Sequence, residues 1–330
     1  MTSDSSATSG TTGPDRGPDT TGSDRGQDTT GPDRGPDTTG PDRAWGTHTV
    51  LLGSTTVTKR HRGQDAARRA AAEWRALDVL HRHAPGLAPE PLSPRPTRDR
   101  PEIVMSRLGG APLRGTPIDA ARLRALAAAV DRIHTAVPSR VPAGWAPRDG
   151  LPHQLAAEIR DLAPHVRARA SGGTADRTAG PRPPATIPPD VAEAVDEGLA
   201  WLASAEPLPG PGDRPPVVGH GDGNLANYLW DGTRVAVVDF EFSGASERAL
   251  ELAEITEHIA AWSGPPLDAD AFLACFAPDP DETRRLRALR RLLALHWLCR
   301  LALDDPAAPR NPPGTAARQA ARLMELLARA

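Results

Sequence analysis

Residues 217–241 read VVGHGDGNLANYLW, then DGTR, then VAVVDFE, and they form the most informative segment of the chain. The dipeptide Asp231-Gly232 favours a tight turn between antiparallel strands, and apolar runs lie on both sides of it. The segment therefore predicts a hairpin. Such a hairpin brings Asn227, at the base of its first strand, close to Asp239, at the end of its second, with Asp222 one loop away.

The polar groups of this hairpin suit the transfer of a phosphoryl group. An amide oxygen and a carboxylate that converge are suitable ligands for Mg²⁺, which takes few protein ligands and leaves positions for water and phosphate oxygens. The carboxylate of Asp222 is free to accept a proton. Phosphoryl transfer needs both features, because the metal neutralises phosphate charge and the carboxylate orients the attacking hydroxyl.

The order His220-x-Asp222-x-x-x-x-Asn227, followed by Val238-Asp239-Phe240-Glu241, resembles the catalytic and metal motifs of the aminoglycoside phosphotransferase and choline kinase superfamily, a group related to the protein kinases. The resemblance covers residues 47–303. It implies that Asp222 is the catalytic base, that Asn227 and Asp239 are Mg²⁺ ligands, and that His220 supports the catalytic loop.

The same resemblance implies an α+β, bilobal protein-kinase-like fold. Its N-lobe is a small antiparallel β-sheet with one helix, and its C-lobe is larger and mainly helical. We expect a nucleotide-binding N-lobe at residues 44–108, and a C-lobe at residues 109–330 that holds the catalytic loop and the acceptor site. Strand patterns at 47–60 and 102–105 and a helical pattern at 66–83 agree with the N-lobe. Helical patterns then follow at 119–137, 153–170, 191–203, 248–262, 268–276, 281–303 and 316–328.

Lys59 is the single lysine of the chain, against 38 arginines. A requirement beyond positive charge would explain why it remains, since a compact ammonium reaches nucleotide phosphates through a gap too narrow for a guanidinium. In kinase-like folds this lysine lies on the third strand and pairs with a glutamate of the next helix. Glu73 is the candidate partner here. The alternative is that Lys59 is a leftover surface lysine.

The strand at residues 102–105 and the residues after it resemble the hinge between the lobes. The resemblance implies that the backbone at Met105, Ser106 and Arg107 binds adenine. The first hairpin has no glycine-rich loop, so phosphate binding is expected to depend on Lys59 and the metal. The aspartate that the family usually has after the metal loop is replaced by Glu251.

Residues 1–43 differ in character from the rest of the chain. Four copies of a nine-residue unit begin at residues 11, 20, 29 and 38, and the repeats contain no apolar residue before Ala44. A segment that cannot bury a core is expected to be disordered. It is either a neutral repeat expansion or a tether or docking tail.

Composition and charge limit the cellular location, the partners and the cysteine chemistry that we expect. No apolar run of 18 residues is present and the N-terminus lacks a secretory pattern, so we expect a cytoplasmic protein without a membrane partner. The tail carries a net charge of −4 and the rest about +1, which does not favour nucleic-acid binding. Cys275 and Cys299 lack the spacing of a disulfide framework or zinc site.

The leading functional hypothesis is ATP-dependent phosphorylation of a hydroxyl group on a small molecule, with GTP as an alternative donor. A choline or sugar kinase of the same fold is a second possibility, and a nucleotide-binding regulatory pseudo-enzyme is a third. A metal-dependent phosphohydrolase is not favoured, because the sequence lacks the further His and Asp clusters that the sites of such enzymes require. Four glutamates at helical spacing form either a solvated face or an acidic surface for a cationic acceptor: Glu247, Glu251, Glu254 and Glu257. The acceptor and the oligomeric state stay open.

Overall fold

The computed structural model describes residues 42–44, 47–137, 145–171, 187–204, 214–305 and 308–329. The predicted disordered tail lies outside the described residues as far as residue 41. Its boundary needs a correction, because strand β1 is Asp42–Ala44 and pairs antiparallel with the next strand. Two residues assigned to the tail therefore form part of a sheet.

The N-terminal part is a four-stranded antiparallel sheet in the order β1-β2-β3-β4. Strand β2 (His48–Leu52) and strand β3 (Thr56–His61) form the predicted hairpin, rich in the threonine and valine that favour strands. Strand β4 (Glu102–Ser106) pairs with β3, and the buried side chain of Met105 lies in the register position opposite Val57.

One helix covers this sheet. Helix α1 (Ala66–His83) has the predicted bounds, and its buried side chains recur at the three- and four-residue spacing of one helical face. That face includes Glu73 between the apolar Ala70 and Leu77. Because α1 contacts both β3 and β4, the glutamate is carried into the interior beside the sheet.

The remainder of the described chain is mainly helical. Its helices are α2 (Ala120–Thr135), α3 (Pro152–Ala170), α4 (Pro189–Ser204), α5 (Arg248–Glu257), α6 (Ala269–Ala274), α7 (Pro280–Ala302) and α8 (Thr315–Ala328). Helix α7 is buried on all sides over residues 292–299 and packs against α3, α5 and α8. Asp279 caps its first turn by accepting hydrogen bonds from the N–H groups of residues 281 and 282. None of the described helices is both long and apolar enough to cross a bilayer.

The helix predicted over residues 248–262 is shorter in the structure. Helix α5 ends at Glu257, because His258 has an extended backbone and its ring caps a short 3₁₀ turn, Ile259–Ala261. The backbone N–H of Ala260 donates to His258 Nδ1 over 3.0 Å. A side-chain acceptor thus competes with continuation of the helix.

Two small sheets interrupt the helices and carry the polar segment identified in the sequence. Strand β5 (Ala111–Pro112) pairs with β7 (Tyr228–Trp230), which pairs with β8 (Val235–Val237). Strand β6 (Val217–Gly219) pairs with β9 (Gly244–Ser246). The predicted hairpin is therefore present as β7–β8, and the loop between β6 and β7 lies against it.

Candidate active site

The loop between β6 and β7 holds His220, Asp222 and Asn227, and it is pressed against the loop that follows β8. Gly221 has a φ of +80°, and a Cβ atom there would lie 2.6 Å from the carbonyl oxygen of Phe242. Only glycine fits this close approach and left-handed backbone. We call residues 220–227 the catalytic loop and residues 238–243 the metal loop.

His220 connects these two loops. The backbone N–H of Asp222 donates to His220 Nδ1 over 3.2 Å, which places the ring proton on Nε2. Nε2 lies 2.9 Å from the carbonyl oxygen of Val238, the residue before Asp239. The ring therefore links the backbone at Asp222 to the backbone at the metal loop.

Asp222 is a buried carboxylate held by two donors. Its Oδ1 accepts from the backbone N–H of Asn224 over 2.9 Å, and its Oδ2 accepts from Asn227 Nδ2 over 2.9 Å. Burial, aided by the charge of Asp239, raises the pKa of Asp222 to about 6 against the lowering effect of His220. A carboxylate with this pKa is a stronger proton acceptor than an exposed aspartate and is still ionised at neutral pH.

Asn227 and Asp239 supply the donor set predicted for a metal. Because Asn227 Nδ2 is used by Asp222, the amide oxygen of Asn227 remains as an acceptor. Asp239 has a φ of +69°, an uncommon backbone for a residue with a side chain, and its carboxylate contacts the Lys59 ammonium. One amide oxygen and one carboxylate fit Mg²⁺, which usually binds few protein ligands. Within the described ranges, no group of three or more His, Cys, Asp or Glu side chains is arranged to hold a metal.

Lys59 lies at the centre of a buried cluster of charges, so the alternative of a surface lysine is wrong. Its Nζ is 2.9 Å from Glu73 Oε2 and 3.4 Å from Glu241 Oε2, and it also contacts Asp239. Burial disfavours its charge, but the three carboxylates outweigh this effect and raise the pKa of Lys59. Burial likewise raises the pKa of Glu73, and Lys59 and His61 pull it down to about 2.

Two members of this cluster were not predicted from the sequence. His61 is 3.0 Å from Glu73 and 3.3 Å from Glu241, and Glu241 also lies 3.4 Å from His48. A signal for His61 exists, since residues two apart on a strand share a face and His61 follows Lys59 by two. Glu241 belongs to the quoted motif, but sequence reasoning assigned it no role.

A second buried ion cluster lies between helix α5 and the catalytic loop. Arg148 Nε lies 2.8 Å from Glu251 Oε1, and its Nη2 lies 2.8 Å from Glu254 Oε2. Glu251 Oε2 in turn accepts from the backbone N–H groups of His220, over 2.8 Å, and Gly221, over 3.2 Å. Glu251 therefore connects α5 to the loop that carries Asp222. Nothing local in the sequence marks Arg148 as its partner.

The glutamates of α5 form no acidic surface. Glu247 pairs with Arg285 at 2.6 Å, and Glu257 pairs with Arg290 at 2.6 Å and with Arg322 at 2.7 Å. The other two are held by Arg148 as described above. Both interpretations offered for this set are therefore wrong, because the glutamates are neither a solvated face nor an unpaired site for a cation.

His258 lies beside the carboxylate of Asp222 and was also not predicted. Its Nε2 is 3.8 Å from Asp222 Oδ1, and its Nδ1 is occupied by the backbone N–H of Ala260. Burial, with a contribution from Arg114, lowers the pKa of His258 to about 3. The ring is therefore neutral, with its N–H on the side of Asp222.

A family model for the phosphotransferase enzyme family (APH) matches residues 38–289, which is most of the chain. The chain belongs to this family. No curated protein sequence matches this phosphotransferase.

Solved structures place the phosphotransferase in the predicted fold. It is similar to a choline/ethanolamine kinase family protein from Mesorhizobium loti, with 21% identity and a TM-score of 0.56 over 88% of this chain and 89% of the other. Choline kinase from Cryptosporidium parvum has 11% identity and a TM-score of 0.55 over 87% and 88%. A thermostable mutant of aminoglycoside phosphotransferase APH(4)-Ia, solved with AMP-PNP and hygromycin B, has 20% identity and a TM-score of 0.51 over 87% and 92%. The expected α+β protein-kinase-like fold is confirmed.

The hinge of the phosphotransferase differs in detail from the prediction. The backbone N–H of Ser106 donates to the carbonyl of Glu90 over 2.9 Å, and the N–H of Arg107 donates to the carbonyl of Thr55 over 2.8 Å. These two donors are therefore engaged inside the protein. The N–H of Leu108 has no backbone partner among the residues that the structure describes, so the available donor lies one residue further along.

Proposed function

We propose that this phosphotransferase transfers the γ-phosphoryl group of ATP, with GTP as an alternative donor, to a hydroxyl group of a small molecule. The observation that carries the proposal is the joint position of Asp222, Asn227 and Asp239 on two loops pinned together by His220. Lys59, from the N-terminal sheet, contacts Asp239 and is paired with Glu73 of helix α1.

Asp222 is proposed as the catalytic base. It accepts the proton of the acceptor hydroxyl as the oxygen attacks the γ-phosphorus, and the bond from phosphorus to the bridging oxygen breaks with release of the nucleoside diphosphate. The two donors on its oxygens, together with its buried position, keep the carboxylate in one orientation. Positioning of this kind contributes much of the rate enhancement in enzymatic phosphoryl transfer.

Asn227 and Asp239 are proposed as the Mg²⁺ ligands. The metal would neutralise phosphate charge when bound. The contact of Asp239 with the Lys59 ammonium supports the proposal, because it places this carboxylate beside a positive charge. Lys59, held by Glu73, is proposed to contact the nucleotide phosphates.

Adenine is proposed to bind the backbone of the hinge. Met105, Ser106 and Arg107 remain the proposed contacts through their carbonyl groups and side chains, and the N–H of Leu108 is added as the donor. Nucleotide binding is accordingly assigned to the N-lobe, whose proposed range of 44–108 is extended to begin at Asp42.

The acceptor is proposed to be a small hydroxylated molecule. The acidic surface that favoured a cationic acceptor is absent from α5, because Arg148, Arg285, Arg290 and Arg322 neutralise its glutamates. The charge of this helix therefore does not select the acceptor, so neutral and anionic hydroxyl compounds belong in the test beside aminoglycosides and choline.

The deciding experiment measures phosphoryl transfer from ATP and from GTP with Mg²⁺ to hygromycin B, choline, ethanolamine, sugars and hydroxy acids. We expect at least one product in the wild type, and a loss of about 10²–10⁴-fold in kcat for Asp222→Ala. Transfer that is unchanged in Asp222→Ala would overturn the assignment of the base. Nucleotide binding that is abolished by Asp239→Ala, without turnover of any acceptor, would instead favour a regulatory nucleotide-binding module.

A further inference from the structure

The ring of His61 is enclosed between two carboxylates of different origin. Its Nε2 lies 3.0 Å from Oε2 of Glu73, on helix α1, and its Nδ1 lies 3.3 Å from Oε2 of Glu241, on the metal loop. The side chain is 0% exposed, and both carboxylate contacts are close ion pairs outside hydrogen-bond geometry, with no hydrogen-bond partner for either ring nitrogen among the described residues. His61 thus contacts both helix α1 and the loop that carries Asp239.

The two neighbouring carboxylates favour a positive charge on the ring. A neutral imidazole has one N–H and one lone pair, so one of its nitrogens would face a carboxylate oxygen lone pair to lone pair. With a carboxylate oxygen 3.0 Å from one nitrogen and 3.3 Å from the other, the surrounding charge favours the doubly protonated ring, an imidazolium. A buried cation of this kind is stable only when it is paired, and His61 has two anionic partners.

The charged groups around His61 come from every element packed against it. Strand β3 contributes Lys59, and α1 contributes Glu73 together with Arg69, whose Nε is 3.8 Å from Glu241 Oε2. Strand β2 contributes His48, whose ring centroid is 6.2 Å from that of His61. Burial and Lys59 lower the pKa of His61, but its contacts with Glu241 and Glu73 outweigh them, and the net pKa is raised.

The positive charge of His61 matters because the ammonium of Lys59 alone must neutralise three carboxylates. Lys59 contacts Glu73, Asp239 and Glu241 at once. If the Lys59 ammonium turns toward nucleotide phosphates, Glu73 and Glu241 lose part of the positive charge that neutralises them, while both carboxylates remain buried. Uncompensated buried carboxylates are costly, so the turn would be opposed unless another cation stays in place.

We propose that His61 is a positioning residue, an imidazolium that bridges Glu73 and Glu241 and so leaves Lys59 free to bind nucleotide phosphates. The proposal deepens the function proposed above and rests on it. It assigns His61 an effect on nucleotide affinity through Lys59, without contact to the nucleotide.

The first test measures the protonation of the two ring nitrogens of His61. In full-length protein with ¹⁵N-labelled histidine, we expect both ring nitrogens of His61 to be protonated at pH 7.5, about one unit above the ordinary imidazole pKa. The signals are assigned by their loss in His61→Gln. A single ring N–H at this pH would overturn the proposal.

The second test measures binding of AMP-PNP with Mg²⁺ by calorimetry. We expect His61→Gln to weaken binding by about tenfold or more, because a buried charge pair loses its cation. The matched control is His134→Gln, which removes a buried histidine of α2 whose pKa burial lowers to about 4, so that no charge is lost. Its affinity is expected to stay within about twofold of the wild type, since it lies outside this cluster.

The outcomes separate this proposal from the proposed function. A doubly protonated His61 with unchanged affinity in His61→Gln would overturn the positioning role and leave the function standing. A wild type that binds no AMP-PNP would overturn the proposed function, and the positioning role with it, while the ring nitrogens still report the charge. If His61→Gln does not fold, His61 is assigned through the backbone of its neighbours in the wild type, and loss of either ring N–H on adding AMP-PNP would overturn the proposal.

Discussion

Asn227 Nδ2 donates a hydrogen bond to Asp222 Oδ2 over 2.9 Å. The bond fixes the orientation of the amide, since its nitrogen faces the proposed base and its oxygen is left for the proposed metal. One side chain therefore orients a carboxylate and offers a ligand at the same time. Changes at this position should affect both the base and the metal.

Asn227→Asp tests this double role. The substitution keeps an oxygen ligand but replaces the N–H donor by a second carboxylate next to Asp222, and adjacent like charges oppose each other's ionisation. We expect kcat to fall by about 100-fold or more, with the remaining activity shifted to higher pH. Steady-state transfer over a pH series measures this. The control is Asn311→Asp, the same chemical change far along the chain, and equal losses in both variants would contradict the prediction.

The raised pKa of Asp222 predicts a pH-dependent cost in stability. The folded-state pKa is about 6 and the ordinary value is 3.8, so the folded protein holds this proton more tightly than the unfolded chain does. The contribution to stability is therefore complete below pH 3.8 and is lost as the pH rises through 6. We expect Asp222→Asn to stabilise the metal-free protein more at pH 7.5 than at pH 4.5, by about 1–3 kcal/mol. Urea unfolding at both values measures the difference, and a gain that is equal or larger at pH 4.5 would contradict it.

Lys59→Met should be strongly destabilising. The side chain is buried beside three carboxylates, and removal of the cation leaves their charge uncompensated. We expect a loss of about 3–5 kcal/mol in the free energy of unfolding. The double variant Lys59→Met/Glu73→Gln removes one of those charges and should recover part of the loss. Denaturant titration checks both, and a double variant that is no more stable than Lys59→Met would refute the explanation.

Glu251→Gln tests the support beneath the catalytic loop. The change removes the charge that Arg148 faces and weakens the acceptor for the backbone N–H groups of His220 and Gly221. We expect a loss of about 3 kcal/mol in stability together with a lower kcat, because the loop that carries Asp222 loses its anchor. Arg167→Gln is the control, since its partner Asp196 is exposed and such pairs contribute about 0–1 kcal/mol. A stability loss in Glu251→Gln no larger than in the control would contradict the prediction.

Much of the site could be predicted because its signals are local. The spacing from His220 to Asn227 and the turn at Asp231-Gly232 depend on the backbone of one hairpin, and that hairpin is present as β7–β8. The helix bounds of α1 followed from apolar spacing for the same reason. The hinge donors were less predictable, because Glu90 and Thr55, which engage them, come from two other segments.

The sequence by itself was enough to predict the class of fold, through the resemblance of the segment from His220 to Glu241 to a known family, because the order and spacing of those residues are local to one stretch of chain. It also singled out Lys59, since one lysine among 38 arginines is visible in composition alone. Only the tertiary structure decided which charges neutralise each other: His61 with Glu73 and Glu241, and Arg148 with Glu251. With 39 basic and 42 acidic residues, many pairings are compatible with the sequence, and the packing of distant elements selects among them.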